Sequence, residues 1–459
     1  CGSQTKTETV STDQKTDPLQ NEILNQVQDD KQIVIAANRT DAYLPLLQGK
    51  RVGIVANQTS VVFKNEIATS PDVNSLDPRN DNYSHLVDSL ISLNVDLVKV
   101  FAPEHGFRGK ADAGELVSDG VDVKTGLPII SLHGKNKKPT QEQLADLDIM
   151  IFDIQDVGVR FYTYISTLHY VMEACAEETI HLIILDRPNP NGHYVDGPTL
   201  EIEHQSFLGM HPIPLVHGMT IGEYAKMING EKWLKNGLQC DITIIPVKNY
   251  THQTPYSLPI RPSPNLPNDQ SIKLYPSLGL FEGTNINAGR GTEYQFQRYG
   301  APFLDKNHYK FSYTPVANFG SKYPKHQNEI CYGVDLSEIN TNRQFTLKYV
   351  IDAYNNATDK SKMFNTSNFT THAGTAKLQQ QIESGLSEAE IKRTWQEDIE
   401  IYKSMKVLID IGHPGHVHYF KNFIKSFRTN GSPPVNLTLL TPNSVKTRIK
   451  RYISLKVNS

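Results

Sequence analysis

The chain has 459 residues, of which 38% are hydrophobic, and a formal net charge of −3 at pH 7. This length and composition are enough to bury one large or two medium-sized hydrophobic cores. The near-neutral charge, without a long basic run, argues against a nucleic-acid-binding protein, and no apolar stretch reaches the roughly 20 residues that a membrane-spanning helix needs.

The first 35 residues differ from the rest of the chain. They begin Cys1-Gly2-Ser3 and continue through a Gln-, Thr-, Asp- and Lys-rich stretch to about Asp30. Such a stretch cannot bury a core, and the whole segment resembles the tether of a bacterial lipoprotein whose signal peptide has been removed. We expect a disordered tether over 1–35 and a lipid on the Cys1 thiol, which would hold the protein at the periplasmic or cell-surface side of a membrane. The alternative is an arbitrary start of the chain.

Alternating strands and helices are predicted from residue 51 onward. Continuous Val-, Ile- and Leu-rich runs are typical of strands covered on both faces, as in parallel sheets. The strands are predicted at 52–57, 95–102, 129–133, 149–154, 182–185 and 242–247, with helices at 85–93, 141–147, 165–178 and 221–229. The alternation predicts a doubly wound α/β domain over 36–254.

Beyond Pro255 the pattern changes. Prolines crowd together, aromatic residues are scattered over 296–323, and the stretches 376–382 and 388–402 have apolar residues at helical spacing. These features predict a second, smaller α+β subdomain over 255–404.

Residues 405–459 look foreign to the part before them. The run from Met405 to Pro414 is typical of a protein's beginning, with a strand, a Gly/His loop and then a helix over 420–427. It resembles the first βα unit of sugar-nucleotide-type glycosyltransferase-like proteins. Because one βα unit cannot bury its own faces, we expect a poorly ordered tail, either a fusion or a frame-shifted read-through.

Candidate site residues are concentrated where predicted strands end. In an open parallel sheet the carboxyl ends of the strands face a common crevice, where ligands bind. Four of these ends carry polar or aromatic candidates, namely Asn57; Glu104 and His105; Asp153, Asp156, Arg160, Tyr162 and Tyr164; and Asp186 and Arg187.

Each of these residues also has a purely structural interpretation. A carboxylate at a strand end is often a helix N-cap or a turn former, which is the alternative for Asp156 and Asp186. Glu104 is a poor capping residue, and its alternative is a structural pairing with Arg108 or Arg160.

Two further polar clusters lie downstream. The segment 261–267 carries Arg261 and Asn265 between prolines, and the glycine-rich segment 282–292 carries Glu282, Asn285 and Arg290. The glycines would let the backbone approach a ligand, unless they serve a simple tight turn. Neither GxxxxGK[ST] nor GxGxxG is present at a strand-to-helix turn, so we expect no nucleotide cofactor.

Other chemistries have weaker support. There is no GxSxG motif for acyl transfer. Glu104, His105, Asp153 and Asp156 could form a hard-ligand metal cluster, joined by His133 and His217, but no HExxH spacing is present and we expect no metal.

Several of these segments together resemble the exo-β-N-acetylmuramidases of the NamZ type, glycoside hydrolase family 171, first catalogued as a domain of unknown function. The resemblance covers about residues 40–404 and is carried by 53–60, 101–109, 152–164, 186–192, 261–267, 282–292, 299–302 and 374–396. It implies a Rossmann-like α/β domain, a smaller C-terminal subdomain and an active site between them. It also implies release of N-acetylmuramic acid from the non-reducing ends of peptidoglycan fragments, in cell-wall recycling and without a cofactor.

Glycosidic cleavage usually needs one carboxyl group that protonates the leaving oxygen and a second group that acts as nucleophile or activates water. We expect Glu104 to be the acid, since enclosure between Pro103 and Phe107 would raise its pKa, and His105 to orient it or shuttle protons. Glu282 is placed ahead of Asp153 and Asp156 as the second group, because it would approach from the other subdomain.

Muramic acid carries a lactyl ether that ends in a carboxylate, so Arg160, Arg261 and Arg290 are candidates to bind it with their guanidinium forks. Tyr162 and Tyr164 could stack on the sugar ring, or they could be packing residues. The remaining candidate substrate contacts are Asn57, Asp186, Arg187, Asn265 and Asn285.

Two alternative functions stay open from the sequence. One is a non-catalytic lipoprotein that binds muropeptides or other glycans in the same cleft, and the other is a metal-dependent hydrolase. In every case the expected partners are peptidoglycan-derived sugars and, through Cys1 only, a membrane, without nucleic acid.

Overall fold

The structure is a computed structural model that describes residues 32–64, 82–108, 119–341 and 343–410 of the chain. The strands are β1 Val52–Ala56, β2 Val61–Phe63, β3 Tyr83–His85, β4 Leu97–Ala102, β5 Gly120–Val121, β6 Pro128–Ser131, β7 Ile149–Asp153, β8 His181–Leu185, β9 Asp196–Thr199, β10 Pro214–Val216, β11 Ile242–Ile245, β12 Arg298–Ala301, β13 Phe311–Tyr313 and β14 Cys331–Asp335.

The helices follow the same chain order. They are α1 Thr40–Leu47, α2 Leu86–Ser92, α3 Gln141–Leu144, α4 Tyr164–Glu177, α5 Ile221–Gly230, α6 Asp269–Leu278, α7 Lys348–Asn355, α8 Thr366–Ala373, α9 Lys377–Glu383, α10 Glu388–Arg393 and α11 Gln396–Asp410. Short 3₁₀ helices lie at Ala36–Asn38, Ile202–His204, Lys235–Gly237, Gly279–Gly283 and Lys360–Lys362.

A central sheet with the strand order β11-β8-β7-β1-β4-β6-β5 forms the first part of the molecule. Neighbouring strands from β11 to β6 are parallel, and β5 is antiparallel to β6. All residues of β1 and β7 are buried, because helices and loops cover both faces of the sheet. The predicted α/β class and its six parallel strands are confirmed, with strand ends shifted by at most two residues.

The order of the strands places a topological switch point at β1. The chain passes from β1 through β4 to β6 on one side, and then returns to β7 on the other side of β1. Ligands bind outside the carboxyl ends of the strands at such a reversal. The loops after β1, β4 and β7 therefore meet where the sequence predicts the site.

Helix starts in this part are set by local capping. Thr220 and Glu223 form a capping box at the start of α5, and Thr140 and Gln143 form another at α3. The helix predicted from His85 begins one residue later, because the His85 side chain accepts a hydrogen bond from the Val87 N–H as its N-cap.

The second part is α+β, as predicted. It contains a three-stranded antiparallel sheet with the order β12-β14-β13, together with helices α6 to α11. Helix α6 starts at a capping box formed by Asn268 and Ser271. The short helix Gly279–Gly283 follows α6 directly and contacts α8.

Both predicted terminal segments need correction where the structure describes them. Residues 32–35 are not a tether, since Val34 pairs with Lys248 and both Ile33 and Ile35 are buried. The strand predicted at Met405 is wrong, because α11 continues to Asp410 and buries the Met405 side chain. The Lys406 ammonium also donates a hydrogen bond to the Gly218 carbonyl. Cys1, the rest of the predicted tether and the predicted tail beyond residue 410 lie outside the described residues.

None of the helices in the described part of the chain combines the length and the apolar character needed to cross a membrane.

Candidate active site

A cavity of about 150 Å³ opens between the carboxyl edge of the parallel sheet and the second part of the molecule. It is lined by Glu104, His105, Phe161, Tyr162, Thr163, Tyr164, Leu208, Ser263, Asn265, Leu266, Tyr275, Glu282, Arg290, Phe296 and His372. Seven of the predicted site residues are therefore brought together, although more than 170 positions separate Glu104 from Glu282 in the chain.

Glu104 lies in the turn that follows β4. Its carboxylate accepts a hydrogen bond from the Thr163 hydroxyl at 2.8 Å, and Thr163 precedes α4. The next residue, His105, is buried and has a φ of 70°, which only a minority of non-glycine residues adopt. This left-handed turn directs the chain away immediately after Glu104 and leaves both residues in the cavity wall.

Both arginines that were considered as structural partners of Glu104 bind other groups. Arg108 makes a salt bridge of 2.8 Å with Asp122 and a longer one with Asp88. The Arg160 guanidinium donates to backbone carbonyls instead of a carboxylate. The carboxyl group of Glu104 thus faces the cavity without either arginine as its anchor.

Tyr162 and Tyr164 form one wall of the cavity. Their rings meet edge to face with centroids 4.9 Å apart, and the Tyr162 hydroxyl donates to the Pro262 carbonyl at 2.7 Å. Burial raises the pKa of Tyr162, so the hydroxyl stays neutral. Both rings are largely buried, so packing accounts for most of their surface and only their edges can meet a ligand.

Glu282 and Arg290 form an ion pair on the opposite side. Arg290 Nη1 lies 2.9 Å from Glu282 Oε2, and about a quarter of each side chain is exposed. Burial raises the pKa of Glu282, but the positive charges of Arg290 and Lys325 outweigh it and hold that pKa below its ordinary value. Glu282 is therefore ionised at neutral pH, which suits a base, a nucleophile or an electrostatic partner better than an acid.

Asn265 also faces the cavity. Its Nδ2 donates to the Gly320 carbonyl at 2.7 Å, while its Oδ1 is buried and has no hydrogen-bond partner in the part of the chain that the structure describes. A buried polar atom without a partner is costly, and the Asn265 Oδ1 is therefore placed to accept a hydrogen bond from a ligand or water.

Several cavity residues were not predicted from the sequence, and Tyr275 and His372 are the most informative. Tyr275 lies on α6, where burial raises the pKa of its hydroxyl and the charges of Glu282 and Glu104 raise it further. Tyr275 therefore lies near both carboxylates. Neither residue carries a local signal, because each sits within an ordinary amphipathic helix.

Asp153 and Arg187 are corrections to the predicted site. Arg187 donates to both carboxylate oxygens of Asp153, at 2.6 and 2.8 Å, and their side chains are 4% and 0% exposed, respectively. They are absent from the cavity lining. The pair is internal and structural, so neither the catalytic assignment of Asp153 nor the substrate-binding assignment of Arg187 holds.

Asp186 and Arg160 are also structural. Asp186 accepts hydrogen bonds from the Thr220 hydroxyl at 2.7 Å and the Gly222 N–H at 2.9 Å, and so holds the start of α5. Burial raises the pKa of Asp186 to about 6. Arg160 is fully buried, its two terminal nitrogens donate to the carbonyls of Pro198, Ile213, His372 and Ala373, and its side chain is not part of the cavity lining.

Three further predicted contacts are not in the cavity wall. Asp156 is buried, where it accepts a hydrogen bond from the Gly158 N–H and lies 3.4 Å from His217. Asn57 is buried and bonds to Thr59, whereas Asn285 is exposed and donates to the Lys362 carbonyl. The catalytic assignment of Asp156 and the substrate assignments of the two asparagines are therefore not supported by their positions.

Arg261 is a different case. It is half-buried and lies two positions before the cavity residue Ser263 in the chain. Its backbone carbonyl accepts a hydrogen bond from Gln58, and its Nε is buried without a partner among the described residues. Its side chain does not line the cavity. Of the three predicted arginines, only Arg290 does.

The proposed metal cluster does not assemble, since Asp153 is committed to Arg187. Among the described residues, the group with metal-ligand spacing is Glu201, Glu203 and His204, which is partly exposed and holds none of the predicted ligands.

Comparison with known proteins gives a consistent result over both parts of the molecule. A model of the N-terminal domain of exo-beta-N-acetylmuramidase NamZ matches residues 52–270, and a model of its C-terminal domain matches residues 273–408. The chain is 36% identical over 382 residues to peptidoglycan beta-N-acetylmuramidase NamZ of Bacillus subtilis (strain 168), covering 79% of this chain and 87% of the relative.

Two solved structures are also similar. Both are DUF1343 family proteins from Bacteroides fragilis NCTC 9343, and each comparison covers 82% of this chain and 98% of the solved one. One has a TM-score of 0.71 at 44% identity and the other a TM-score of 0.66 at 26% identity. Glu104 falls in the N-terminal model match and Glu282 in the C-terminal one, so the cavity lies between the two matched domains.

Proposed function

The chain belongs to the exo-β-N-acetylmuramidase NamZ family, and we propose that it is a glycosidase that releases N-acetylmuramic acid from the non-reducing ends of peptidoglycan fragments. The observation that carries the proposal is the cavity itself. It holds two glutamates and an arginine, contributed by both domains, in one hollow. Two acidic side chains facing one sugar-binding hollow are the usual equipment of a glycoside hydrolase.

Glu104 is the proton donor in this proposal. Its carboxyl group lines the cavity, and the Thr163 hydroxyl that donates to Oε2 fixes the orientation of the side chain. The bond between the anomeric carbon and the glycosidic oxygen breaks as Glu104 gives its proton to that oxygen, so the leaving sugar departs as a neutral alcohol.

Glu282 is the second carboxylate. Because Arg290 and Lys325 keep it ionised, it presents negative charge to the cavity throughout the reaction. The sugar acquires positive charge at its ring oxygen and anomeric carbon in an oxocarbenium-like transition state, which a fixed negative charge stabilises. The Lys325 ammonium donates to the carbonyls of Phe281 and Thr284, on either side of Glu282, and so holds this segment in place.

Arg290 is proposed to recognise the lactyl carboxylate. It is the predicted arginine that lines the cavity. Its Nη1 donates to Glu282 and its Nη2 to the Gly320 carbonyl at 3.3 Å, while its Nε has no hydrogen-bond partner among the described residues. A substrate carboxylate could accept from the remaining N–H groups, and N-acetylglucosamine, which lacks this carboxylate, could not.

We further propose that the protein acts in cell-wall recycling on the periplasmic or cell-surface side of a membrane, anchored by a lipid on Cys1. The class of substrate supports this location, since peptidoglycan lies outside the cytoplasm. Metabolic labelling with an alkyne-bearing fatty acid tests it, because the native protein should be labelled and a Cys1→Ser variant should not.

Product analysis tests the enzymatic proposal. The protein is incubated with the disaccharide that has muramic acid at its non-reducing end, and separately with the reversed disaccharide that has glucosamine there. Free N-acetylmuramic acid should appear only from the first. The Glu104→Gln variant should lose about 10²- to 10⁴-fold in kcat/KM while still binding the disaccharide, since the amide keeps the shape but has no acidic proton.

An exposed glutamate provides the matched control. Glu338→Gln makes the same chemical change on the surface of the second domain and should keep wild-type turnover. If the wild-type protein bound the disaccharide but released no muramic acid between pH 4 and 9, the protein would be a glycan binder and the enzymatic proposal would be wrong.

A further inference from the structure

His372 lines the cavity beside the two glutamates but has no role in the reaction as proposed above. It lies in the last turn of α8 and lines the same hollow as Glu104 and Glu282. Its ring packs against Phe161, with centroids 5.7 Å apart. An imidazole in a cavity with two carboxylates invites the question of whether it takes part in proton transfer.

The backbone around His372 is held rigidly. Gly283, next to Glu282, has no side chain, and a Cβ at that position would lie 2.4 Å from the Cα of Phe369. Helix α8 is thus in direct backbone contact with the segment that carries Glu282. On the other side, Arg160 donates to the carbonyls of His372 at 3.3 Å and Ala373 at 2.6 Å. These restraints fix the position of the imidazole relative to Glu282.

A hydrogen bond also fixes the tautomer of the ring. His372 Nδ1 lies 2.8 Å from the Asn368 carbonyl oxygen, which can only accept. Nδ1 must therefore carry the proton, and in the neutral ring Nε2 is left with a lone pair. Since Nδ1 is occupied by its own helix, Nε2 is the polar atom that the ring offers to the cavity.

The surrounding charges favour the neutral ring. Burial lowers the pKa of His372, the bond to Asn368 and the charge of Glu282 raise it, and the charges of Lys325 and Arg160 lower it, with a net lowering. At neutral pH the ring is then able to accept a proton.

We propose that His372 is a catalytic residue that accepts a proton from the water molecule attacking the anomeric carbon. The inference rests on the proposed glycosidase function and specifies its second proton transfer. The water oxygen bonds to the anomeric carbon while the bond to the glycosidic oxygen breaks. Glu104 gives its proton to the glycosidic oxygen, and one water proton passes to His372 Nε2.

The remaining steps balance without another reactant. The imidazolium formed on His372 is stabilised by the nearby Glu282 carboxylate, and both His372 and Glu104 return to their starting states by proton exchange with solvent. One water is consumed for each bond cleaved. Because the displacement is direct, a β-linked substrate should yield the α-anomer of muramic acid first.

The first test is the stereochemistry of the wild-type product. Proton NMR of the reaction at low temperature, within minutes of mixing, should show the α-anomer before mutarotation mixes the two forms. If the β-anomer appeared first, the reaction would proceed by double displacement instead of direct attack by water, and the role of His372 as the base in a direct displacement would be wrong. This measurement needs no variant, so it remains decisive even if a substitution prevents folding.

The second test is substitution of the imidazole. His372→Gln should lower kcat about 10²- to 10⁴-fold with little change in KM. It should also remove the fall in activity at low pH, because that fall reflects protonation of the His372 base. Added imidazole should raise the turnover of His372→Ala at least tenfold, which a purely structural role would not allow. His308→Gln is the matched control, since His308 is half-exposed and lies outside the cavity.

The outcomes separate this inference from the proposal on which it rests. If wild-type protein released no muramic acid, the glycosidase function itself would fail. If the wild type were active and folded His372→Gln stayed within threefold of it with an unchanged pH profile, only the role of His372 would be overturned.

Discussion

Replacing Asp153 by asparagine should destabilise the protein without removing its chemistry. Asp153 ends β7, beside the predicted site, and its residue type and position at a strand end made it a catalytic candidate. The structure instead pairs it with Arg187 in a two-pronged salt bridge of 2.6 and 2.8 Å inside the core. The two interpretations differ in which measured quantity should change.

The magnitude follows from burial. With the carboxylate fully buried and the arginine 4% exposed, neither charge is screened by water. Asp153→Asn leaves the Arg187 charge in the interior without a counter-charge, and breaking a buried pair in this way costs about 3–5 kcal/mol. Arg187 keeps its hydrogen bond to the Val61 carbonyl, which favours the lower end of that range.

The same strand provides a matched control. Asp148, directly before β7, makes an equivalent pair with Arg51 at 2.9 and 3.1 Å, but both side chains are substantially exposed. Asp148→Asn should change the free energy of unfolding far less, because solvent screens exposed pairs.

The assay combines urea unfolding with turnover of the muramic acid disaccharide, corrected for the folded fraction at the assay temperature. Folded Asp153→Asn should keep kcat within about threefold of wild type. If the variant unfolded at the wild-type urea concentration but lost a thousandfold in kcat, Asp153 would be a catalytic residue and the structural argument would be wrong.

Three further predictions follow from the same contacts. Arg290→Lys should raise KM for a muramic acid glycoside about 10- to 100-fold in initial-rate measurements, because a lysine lacks the fork, and it should leave unchanged the inhibition constant of the corresponding glucosamine glycoside added as a competitor. The pKa of Asp186 rises to about 6 on folding, so its ionisation lowers wild-type stability by about 2 kcal/mol as the pH rises from 4 to 7. Urea unfolding at both pH values should show that wild type loses this much more stability than Asp186→Asn, and equal changes in the two proteins would contradict it. Gly283→Ala should push α8 away, since the new Cβ meets the backbone of Phe369. The variant should lose about 1–3 kcal/mol in unfolding free energy and have a lower kcat than Gly126→Asn, a control at a solvent-facing glycine. An active variant of wild-type stability would mean that the contact relaxes without cost.

The first domain was predictable because its buried strands are visible in the sequence as apolar runs. Runs such as 52–57 and 149–154 are apolar up to the polar residues at their carboxyl ends, as burial on both faces of a parallel sheet requires, and the strands end within one residue of the predicted bounds. The last helix that the structure describes was less predictable. Met405 looks like the beginning of a new protein, yet α11 continues through it because its side chain and that of Lys406 find partners on the first domain.

The site divides along the same line. The sequence by itself determined that polar residues cluster at strand ends and in the 282–292 segment, because composition and order along the chain are enough to see this. It could not separate Glu104 from Asp153, since both are carboxylates at the carboxyl ends of predicted buried strands.

Only the tertiary structure decided which of these side chains line the cavity. Asp153 pairs with Arg187, and Asp186 binds the start of α5. Arg160 donates to four backbone carbonyls. Tyr275 and His372 enter the cavity from helices that carry no local signal. The physical reason is that the direction and the protonation of a side chain depend on partners far away in the chain. Folding and the packing of the two domains determine which of these partners it meets.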